Sequence, residues 1–304
     1  MAPNRTMLAA ALGGIALWRF FGPEVPPRFQ GIQERPTRST GRTVLSGRHE
    51  FFVREAGPED GPPLVLLHGW VYDGLVTWHR VLPLLARTHR VYVIDLRGHG
   101  KSARIRGRVD IEDMADEVAG VMDSLGLGAV PLVGYSMGGM VAQALAQRYP
   151  GRVDRLVLAA TAAQPIAVPW WVAFPVFFVG RGLARVDRLI APRIAHRYLL
   201  ATGVVPPNHA AWLWESLLDR DTDLYYQAGF AILRFDAGEW VGKLTMPTLS
   251  IIPTRDQLVP ASRQRQTAAA LPDNRVLEIE GARHEAVLTH PDVVAAAIGE
   301  FIGS

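Results

Sequence analysis

The pentapeptide Gly134-Tyr135-Ser136-Met137-Gly138 constrains this chain more than any other segment. It follows the short apolar run 130–133 and precedes a stretch with a helical pattern, 139–149. A strand, a sharp turn and a helix in this order hold the central residue of G-x-S-x-G in a strained backbone, with its side chain above a sheet. The flanking glycines fit because such a turn leaves no room for Cβ atoms. We therefore predict that Ser136 is a nucleophile, which needs a base, an acid to orient the base, and donors for an oxyanion.

Buried strands and helices alternate on both sides of this turn. Unbroken apolar runs at 64–67 and 91–94 are typical of strands covered on both faces, and 153–159 is predicted as a later strand. Helical patterns, among them 77–87, separate such runs. The pattern predicts an α/β fold with a mostly parallel sheet and helices on both faces. It is interrupted by a mostly helical stretch, which predicts a cap over the carboxyl ends of the strands, where open α/β sheets bind ligands. The predicted division is an apolar N-terminal segment and Pro-rich linker (1–42), a core (43–161 and 243–304) and a helical cap (162–242).

Composition excludes several classes of function. The chain has no cysteine, which excludes disulfides, thiol catalysis and cysteine-based zinc sites. A formal net charge of +3 is small for 304 residues, and no basic-aromatic motif is present, so we expect no nucleic-acid partner. The chemistry of a serine nucleophile needs neither a cofactor nor a metal, and we expect none.

The N-terminus carries an apolar run, 7–17, followed by Trp18, Phe20 and Phe21. A helix of about fifteen residues would reach about 22 Å, short of the roughly 30 Å of a membrane span. The length suits a signal peptide, but no A-x-A cleavage site follows. We favour an anchor or a signal, and an uncleaved anchor would lie in the membrane interface and make the protein membrane-associated. The alternative is a disordered segment or a helix packed on the protein's own surface, which would leave the protein cytoplasmic.

From about residue 43 to its end, the chain resembles the α/β-hydrolase superfamily. The resemblance rests on motifs that occur in the family's order and at its usual separations: His68-Gly69-Trp70, the loop 95–102, Gly134 to Gly139, 253–260 and 280–285.

The resemblance implies a catalytic triad of Ser136, Asp256 and His284, in the chain order that this fold uses. Some relatives carry the acid after the strand that follows the nucleophile helix, but the segment 159–163 has no carboxylate. His290 is an alternative base, although His290-Pro291 is typical of the start of the final helix.

The resemblance also implies an oxyanion hole formed by the backbone N–H groups of Met137 and Trp70. Met137 begins a helix, where unpaired N–H groups and the helix dipole favour negative charge. Trp70 lies in the loop after His68-Gly69. We expect His68 to brace this loop by hydrogen bonds rather than to do chemistry, and we expect His99 to be structural as well.

The segment 169–178 of the predicted cap is strongly apolar, and arginines follow it at intervals of three to five. In one interpretation the aromatic residues line an apolar pocket and the arginines form a solvated face. In the other, the cap, like residues 7–21, contacts a membrane. The predicted substrate pocket comprises Trp70, Tyr135, Trp170, Trp171 and Phe174.

These residues predict a serine hydrolase, carboxylesterase-like or lipase-like, that cleaves a small hydrophobic carboxylic ester through an acyl-enzyme. A serine at the turn, in place of aspartate, argues against the dehalogenases and epoxide hydrolases of this fold. The same triad would also serve an acyltransferase, a perhydrolase or a C–C hydrolase. A non-catalytic, hydrolase-like binding protein is the alternative from another class.

Overall fold

A computed structural model describes Phe29 and residues 32–36, 40–165 and 170–303 of the chain. The predicted N-terminal anchor, 7–21, lies outside these residues. Within the described ranges, no helix combines the length and the apolar character needed to cross a membrane.

Eight strands form one sheet, in the order β1-β2-β4-β3-β5-β6-β7-β8. The pairs β1–β2 and β2–β4 are antiparallel, and every other neighbouring pair is parallel. The predicted α/β fold class with a mostly parallel sheet is confirmed. The strands are β1 (Thr40–Ser46), β2 (His49–Ala56), β3 (Pro63–Leu67), β4 (Arg90–Ile94), β5 (Val130–Tyr135), β6 (Val153–Ala159), β7 (Thr248–Pro253) and β8 (Asn274–Ile279).

The α-helices that the structure describes are α1 (Gly74–Trp78), α2 (Leu82–Leu85), α3 (Ile111–Ser124), α4 (Met137–Arg148), α5 (Trp170–Val186), α6 (Ile190–Ala201), α7 (Ala210–Leu218), α8 (Thr222–Arg234), α9 (Ala261–Ala270), α10 (Ala286–Thr289) and α11 (Pro291–Gly303). Short 3₁₀ helices lie at Pro150–Arg152, Pro207–His209 and Val241–Lys243.

The central strands are covered on both faces, as their unbroken apolar runs predict. In β3, Val65 and Leu67 pack with α3 and α4 on one face of the sheet, whereas Leu64 and Leu66 pack with the helices on the other face. Successive side chains of a strand point to opposite faces, so a strand buried on both sides has no polar position. The core is therefore double, with the sheet between two apolar layers.

Two elements differ from the sequence-based expectation. The single helix expected over 77–87 is two short helices, and α2 carries Pro83 in its first turn, where a proline without an N–H is tolerated. The strand β1, which no pattern predicted, pairs antiparallel with β2 at the edge of the sheet.

Helices α5 to α8 lie between β6 and β7 in the chain, and we call them the cap helices. They fall inside the segment 162–242 that the sequence assigns to a cap. Helix α5 packs on α8, where Phe174 and Phe177 contact Phe230. The division of the chain into a core and a cap stays a prediction.

Candidate active site

Ser136 lies in the turn between β5 and α4, in a strained backbone conformation. Its φ of 54° and ψ of −118° are rare for a residue with a Cβ atom. The turn is tight enough to require the flanking glycines. A Cβ on Gly134 would lie 2.4 Å from the Gly138 carbonyl oxygen, and one on Gly138 would lie 2.5 Å from the Leu67 carbonyl oxygen. The close packing of β3, β5 and α4 therefore fixes where the serine stands.

The structure brings Ser136, His284 and Asp256 together from three separate loops. His284, in the turn after β8, has its Nε2 atom 2.9 Å from Ser136 Oγ. Its Nδ1 atom is 2.7 Å from Asp256 Oδ2, in the loop after β7. With the proton on Nδ1 donated to Asp256, Nε2 is free to accept the serine proton. This is the geometry that a nucleophile, a general base and an acid that orients the base require.

The Asp256 carboxylate is held by neutral donors besides His284. Its Oδ1 atom accepts hydrogen bonds from the backbone N–H groups of Leu258 and Val259, each at 2.9 Å. Its Oδ2 atom accepts one from Gln264 Nε2, also at 2.9 Å. Buried carboxylates need such partners because desolvation otherwise favours the neutral acid. The orientation of Asp256 therefore depends on its own loop and on α9.

Two positioning roles escaped the sequence analysis, that of Gln264 and that of Tyr135, which was predicted to line the substrate pocket. Gln264 is buried, and its amide also donates to the Val259 carbonyl oxygen at 2.8 Å, which ties α9 to the Asp256 loop. Tyr135 donates its hydroxyl proton to the His284 carbonyl oxygen at 3.2 Å. A glutamine eight residues after the acid belongs to no motif, so only the fold identifies its role.

The loop after β3 lies directly against the turn at Ser136. A Cβ on Gly69 would lie 3.3 Å from the Cβ of Ser136, and one on Gly138 would lie 2.6 Å from the His68 carbonyl oxygen. Met137 is the first residue of α4, so its N–H has no acceptor within the helix. The loop that carries Trp70 and the helix start that carries Met137 are therefore adjacent, as two oxyanion donors require.

His68 and His99 brace this loop from beneath. His68 Nδ1 donates to the Gly69 carbonyl oxygen at 2.7 Å, and its Nε2 accepts from the Leu96 N–H at 2.9 Å. His99 Nε2 lies 2.7 Å from the Trp70 carbonyl oxygen. Burial lowers the pKa of each imidazole to about 4, and His68, with one donated and one accepted hydrogen bond, has the pattern of a neutral ring. A neutral His68 ring supplies fixed hydrogen bonds without placing a charge beside Ser136.

The Trp70 side chain faces the cap helices. Its indole Nε1 donates to the Tyr225 carbonyl oxygen at 2.7 Å. The ring stacks on Tyr225, with centroids 4.4 Å apart, and on Phe177, with centroids 5.3 Å apart. The indole therefore links the predicted oxyanion loop to α5 and α8.

A cavity of about 500 Å³ opens beside His284. Apolar and aromatic residues of the β3 loop, α6 and α8 form much of its wall, and charged residues of the loops that carry Asp256 and His284 complete it. Its lining includes Tyr72, Ile194, Tyr198, Tyr225, Arg255 and Arg283.

This lining differs from the pocket predicted from sequence. Tyr135 is buried beneath His284, and Phe174 packs on Phe230 with ring centroids 4.9 Å apart. Trp171 is 64 % exposed on the outer side of α5. The side chain of Trp170 lies outside the described residues. None of the other four predicted residues, Trp70 included, is among the described residues that line the cavity.

Comparison with known proteins places these features in a family. Residues 62–291 match the family model described as alpha/beta hydrolase fold. The chain is 29 % identical over 254 residues to a pimeloyl-[acyl-carrier protein] methyl ester esterase of Aeromonas hydrophila, which covers 80 % of this chain and 96 % of that one. It is 27 % identical over 276 residues to a non-heme chloroperoxidase of Streptomyces lividans, over 87 % and 100 % of the two chains. The enol-lactonase of Burkholderia xenovorans superposes with a TM-score of 0.76 at 25 % identity, over 86 % and 100 %.

Proposed function

We propose that this chain, which belongs to the alpha/beta hydrolase family, is a serine esterase that cleaves a hydrophobic carboxylic ester through an acyl-enzyme. The observation that carries the proposal is the continuous relay from Ser136 Oγ through His284 to Asp256, with links of 2.9 and 2.7 Å. An esterase among the relatives of known function supports it.

In the proposed mechanism, Ser136 Oγ attacks the ester carbonyl carbon while His284 Nε2 takes its proton. The carbonyl oxygen becomes an oxyanion, to which the N–H groups of Met137 and Trp70 donate. His284 then gives its proton to the departing alcohol, and an acyl-serine remains. A water molecule, deprotonated by His284, attacks the acyl-serine, and the acid leaves as Ser136 recovers its proton. Asp256 stabilises the imidazolium in both halves of the reaction.

The cavity beside His284 is the proposed substrate pocket. Tyr72, Ile194 and Tyr198 offer apolar surface to an acyl chain or alcohol, which fits a hydrophobic substrate. The same cavity is also lined by Arg255 and Arg283, whose guanidinium groups are compatible with a polar group on part of the substrate.

Ester hydrolysis is tested with p-nitrophenyl esters of graded acyl length. We expect turnover that Ser136→Ala lowers by about 10⁴-fold or more. A fluorophosphonate should label Ser136 in the wild-type protein and leave the variant unlabelled. Full turnover by Ser136→Ala would refute the esterase mechanism, and a wild-type protein that resists labelling would favour a non-catalytic binding protein.

Perhydrolysis is a second candidate, because one relative is named a non-heme chloroperoxidase. Hydrogen peroxide instead of water would then attack the acyl-serine, and the acyl group would leave as a peracid. Product analysis with both acceptors present separates the two reactions. The same assay with added alcohols tests acyl transfer.

A further inference from the structure

Helix α5 presents a continuous apolar face to solvent. Exposed along it are Trp171 (64 %), Val172 (39 %), Phe178 (69 %), Val179 (59 %), Leu183 (52 %) and Val186 (89 %), with Pro175 and Gly182 between them. At about 100° per residue, these positions fall within an arc of about 140°. Single exposed apolar residues are ordinary, but a contiguous patch indicates an interaction surface.

The opposite face of α5 already has its packing partners. Ala173 and Ala184 are buried, and Phe177 contacts Trp70 and Phe230. The outer face is therefore not needed for the packing of α5 against the rest of the protein. An apolar face on each side explains why α5 is so hydrophobic along its whole length.

Arginines border this apolar face at its C-terminal half. Arg181 and Arg185 lie beside one edge of the arc, and both pair with Asp223. Next to them is a cavity of about 240 Å³ in which five guanidinium groups meet two carboxylates, so positive charge is in excess. Its charged lining residues are Arg104, Arg106, Arg185, Arg188, Arg220, Asp221 and Asp223.

Two of these arginines are available to an anion. Within the described ranges, neither Arg188 nor Arg220 forms an ion pair, although Arg220 lies over the Tyr225 ring. Burial lowers the pKa of the Arg220 guanidinium, which reflects a cation without full compensation. A phosphate group would supply bidentate acceptors that match guanidinium geometry.

We propose that α5 docks the protein on an anionic phospholipid surface. The apolar face would lie at the boundary between headgroups and acyl chains, and the neighbouring arginine cavity would receive headgroup phosphates. Tryptophan and phenylalanine on one face with arginine at its edge is the composition of an interfacial helix. With 17 residues and two arginines, α5 is too short and too charged to span a bilayer, so it would lie along the surface. Docking requires no catalysis and is independent of the proposed esterase activity.

Because the chain has no cysteine of its own, one introduced cysteine can be labelled selectively, which tests lipid docking in the full chain. Phe178→Cys carries an environment-sensitive nitrobenzoxadiazole label, and Leu45→Cys, on the exposed side of β1, carries the control label. Vesicles of equal parts phosphatidylcholine and phosphatidylglycerol should shift the emission at position 178 to the blue. Lipids with quenchers on their acyl chains should quench it. Pure phosphatidylcholine should give a much smaller shift, and the label at position 45 should not respond.

Substitutions that add or remove one charge measure how much the apolar face of α5 and the arginine cavity each contribute to vesicle binding. Val179→Glu on α5 should weaken partitioning into the anionic vesicles about tenfold or more, whereas Val293→Glu on α11, also exposed, should leave it unchanged. Arg188→Gln should weaken it about fivefold, as expected for one cation near an anionic surface.

Three results would overturn lipid docking. A label at position 178 that stays water-like with anionic vesicles shows that the face does not enter the interface. A blue shift without vesicles shows another occupant: a second copy if the shift grows with protein concentration, or a segment of this chain such as 7–21 if it does not. Inorganic phosphate that binds through Arg188, without any response to vesicles, shows that the cavity takes a free anion.

Discussion

Gly69→Ala tests the predicted oxyanion loop, because the added methyl group has no room. An ideal Cβ at this position lies 2.9 and 3.0 Å from two ring carbons of Tyr135 and 3.3 Å from the Ser136 Cβ. Carbon atoms pack at about 3.5–4.0 Å, so one side must retreat by about 0.5–1 Å. Tyr135 is buried and held by its hydroxyl group on His284. We therefore expect the loop to move.

The distance that the loop moves determines how far kcat should fall. An oxyanion donor must lie about 2.7–3.1 Å from the oxyanion, so a displacement of this size removes the Trp70 N–H from range. Losing one donor costs about 2.7–4 kcal/mol of barrier, a fall of about 10²–10³ in kcat. KM should change little, because the donor acts on charge that develops in the transition state. Overpacking should also lower the free energy of unfolding, by about 1–3 kcal/mol.

The assay is steady-state hydrolysis of a short-chain p-nitrophenyl ester, with circular dichroism to verify folding. Gly128→Ala is the matched control, since no heavy atom lies within 4 Å of its ideal Cβ, and its kcat should equal that of the wild type. A folded Gly69→Ala protein with kcat within about threefold of wild type would refute the assignment of Trp70 as a donor. A raised KM with unchanged kcat would instead place the loop in substrate binding.

Three further substitutions test one contact of Asp256 and two buried charged or titratable groups elsewhere in the fold. Gln264→Met removes a hydrogen bond to the Asp256 carboxylate, so kcat should fall about tenfold at unchanged KM. An unchanged kcat would show that the loop after β7 orients Asp256 without Gln264. Arg54→Met leaves the buried Asp95 without the cation 2.6 Å away, and urea unfolding should show a loss of about 3–5 kcal/mol; a loss below about 1 kcal/mol would contradict this. Burial lowers the pKa of His79 to about 4, against about 6.5 unfolded, so the unfolded state binds the proton first as pH falls. The free energy of unfolding should drop between about pH 7 and about pH 5, by less in His79→Leu than in wild type, and equal drops would refute the role of His79.

The alternation of strands and helices was predictable from sequence, because each central strand is buried on both faces and shows as an unbroken apolar run between turn residues. Val153–Ala159 was predicted with its exact bounds, and most other core strands within one or two residues. Strand β1 was missed because an edge strand is half exposed and lacks such a run. The proline of α2 was visible, yet its effect on the helix over 77–87 was not anticipated.

The sequence by itself determined the turn at Ser136, since glycine spacing and flanking periodicity are local properties. It also named Asp256 and His284 through the order of motifs, although only the fold brings the three side chains within hydrogen-bonding distance. Tertiary structure alone decided the role of Gln264, because no motif marks a glutamine eight residues after Asp256. It also decided the role of the Tyr135 hydroxyl, which reaches His284 across 149 residues of the chain.

Tertiary structure also decided which side of α5 faces inward. Its sequence is apolar around most of the helix, so no polar face indicates the direction of the core. The packing of α5 on α8 turns Phe177 toward Trp70 and leaves Trp171 and Phe178 outside. Periodicity orients a helix only when one face is polar, and where both faces are apolar the neighbouring elements decide.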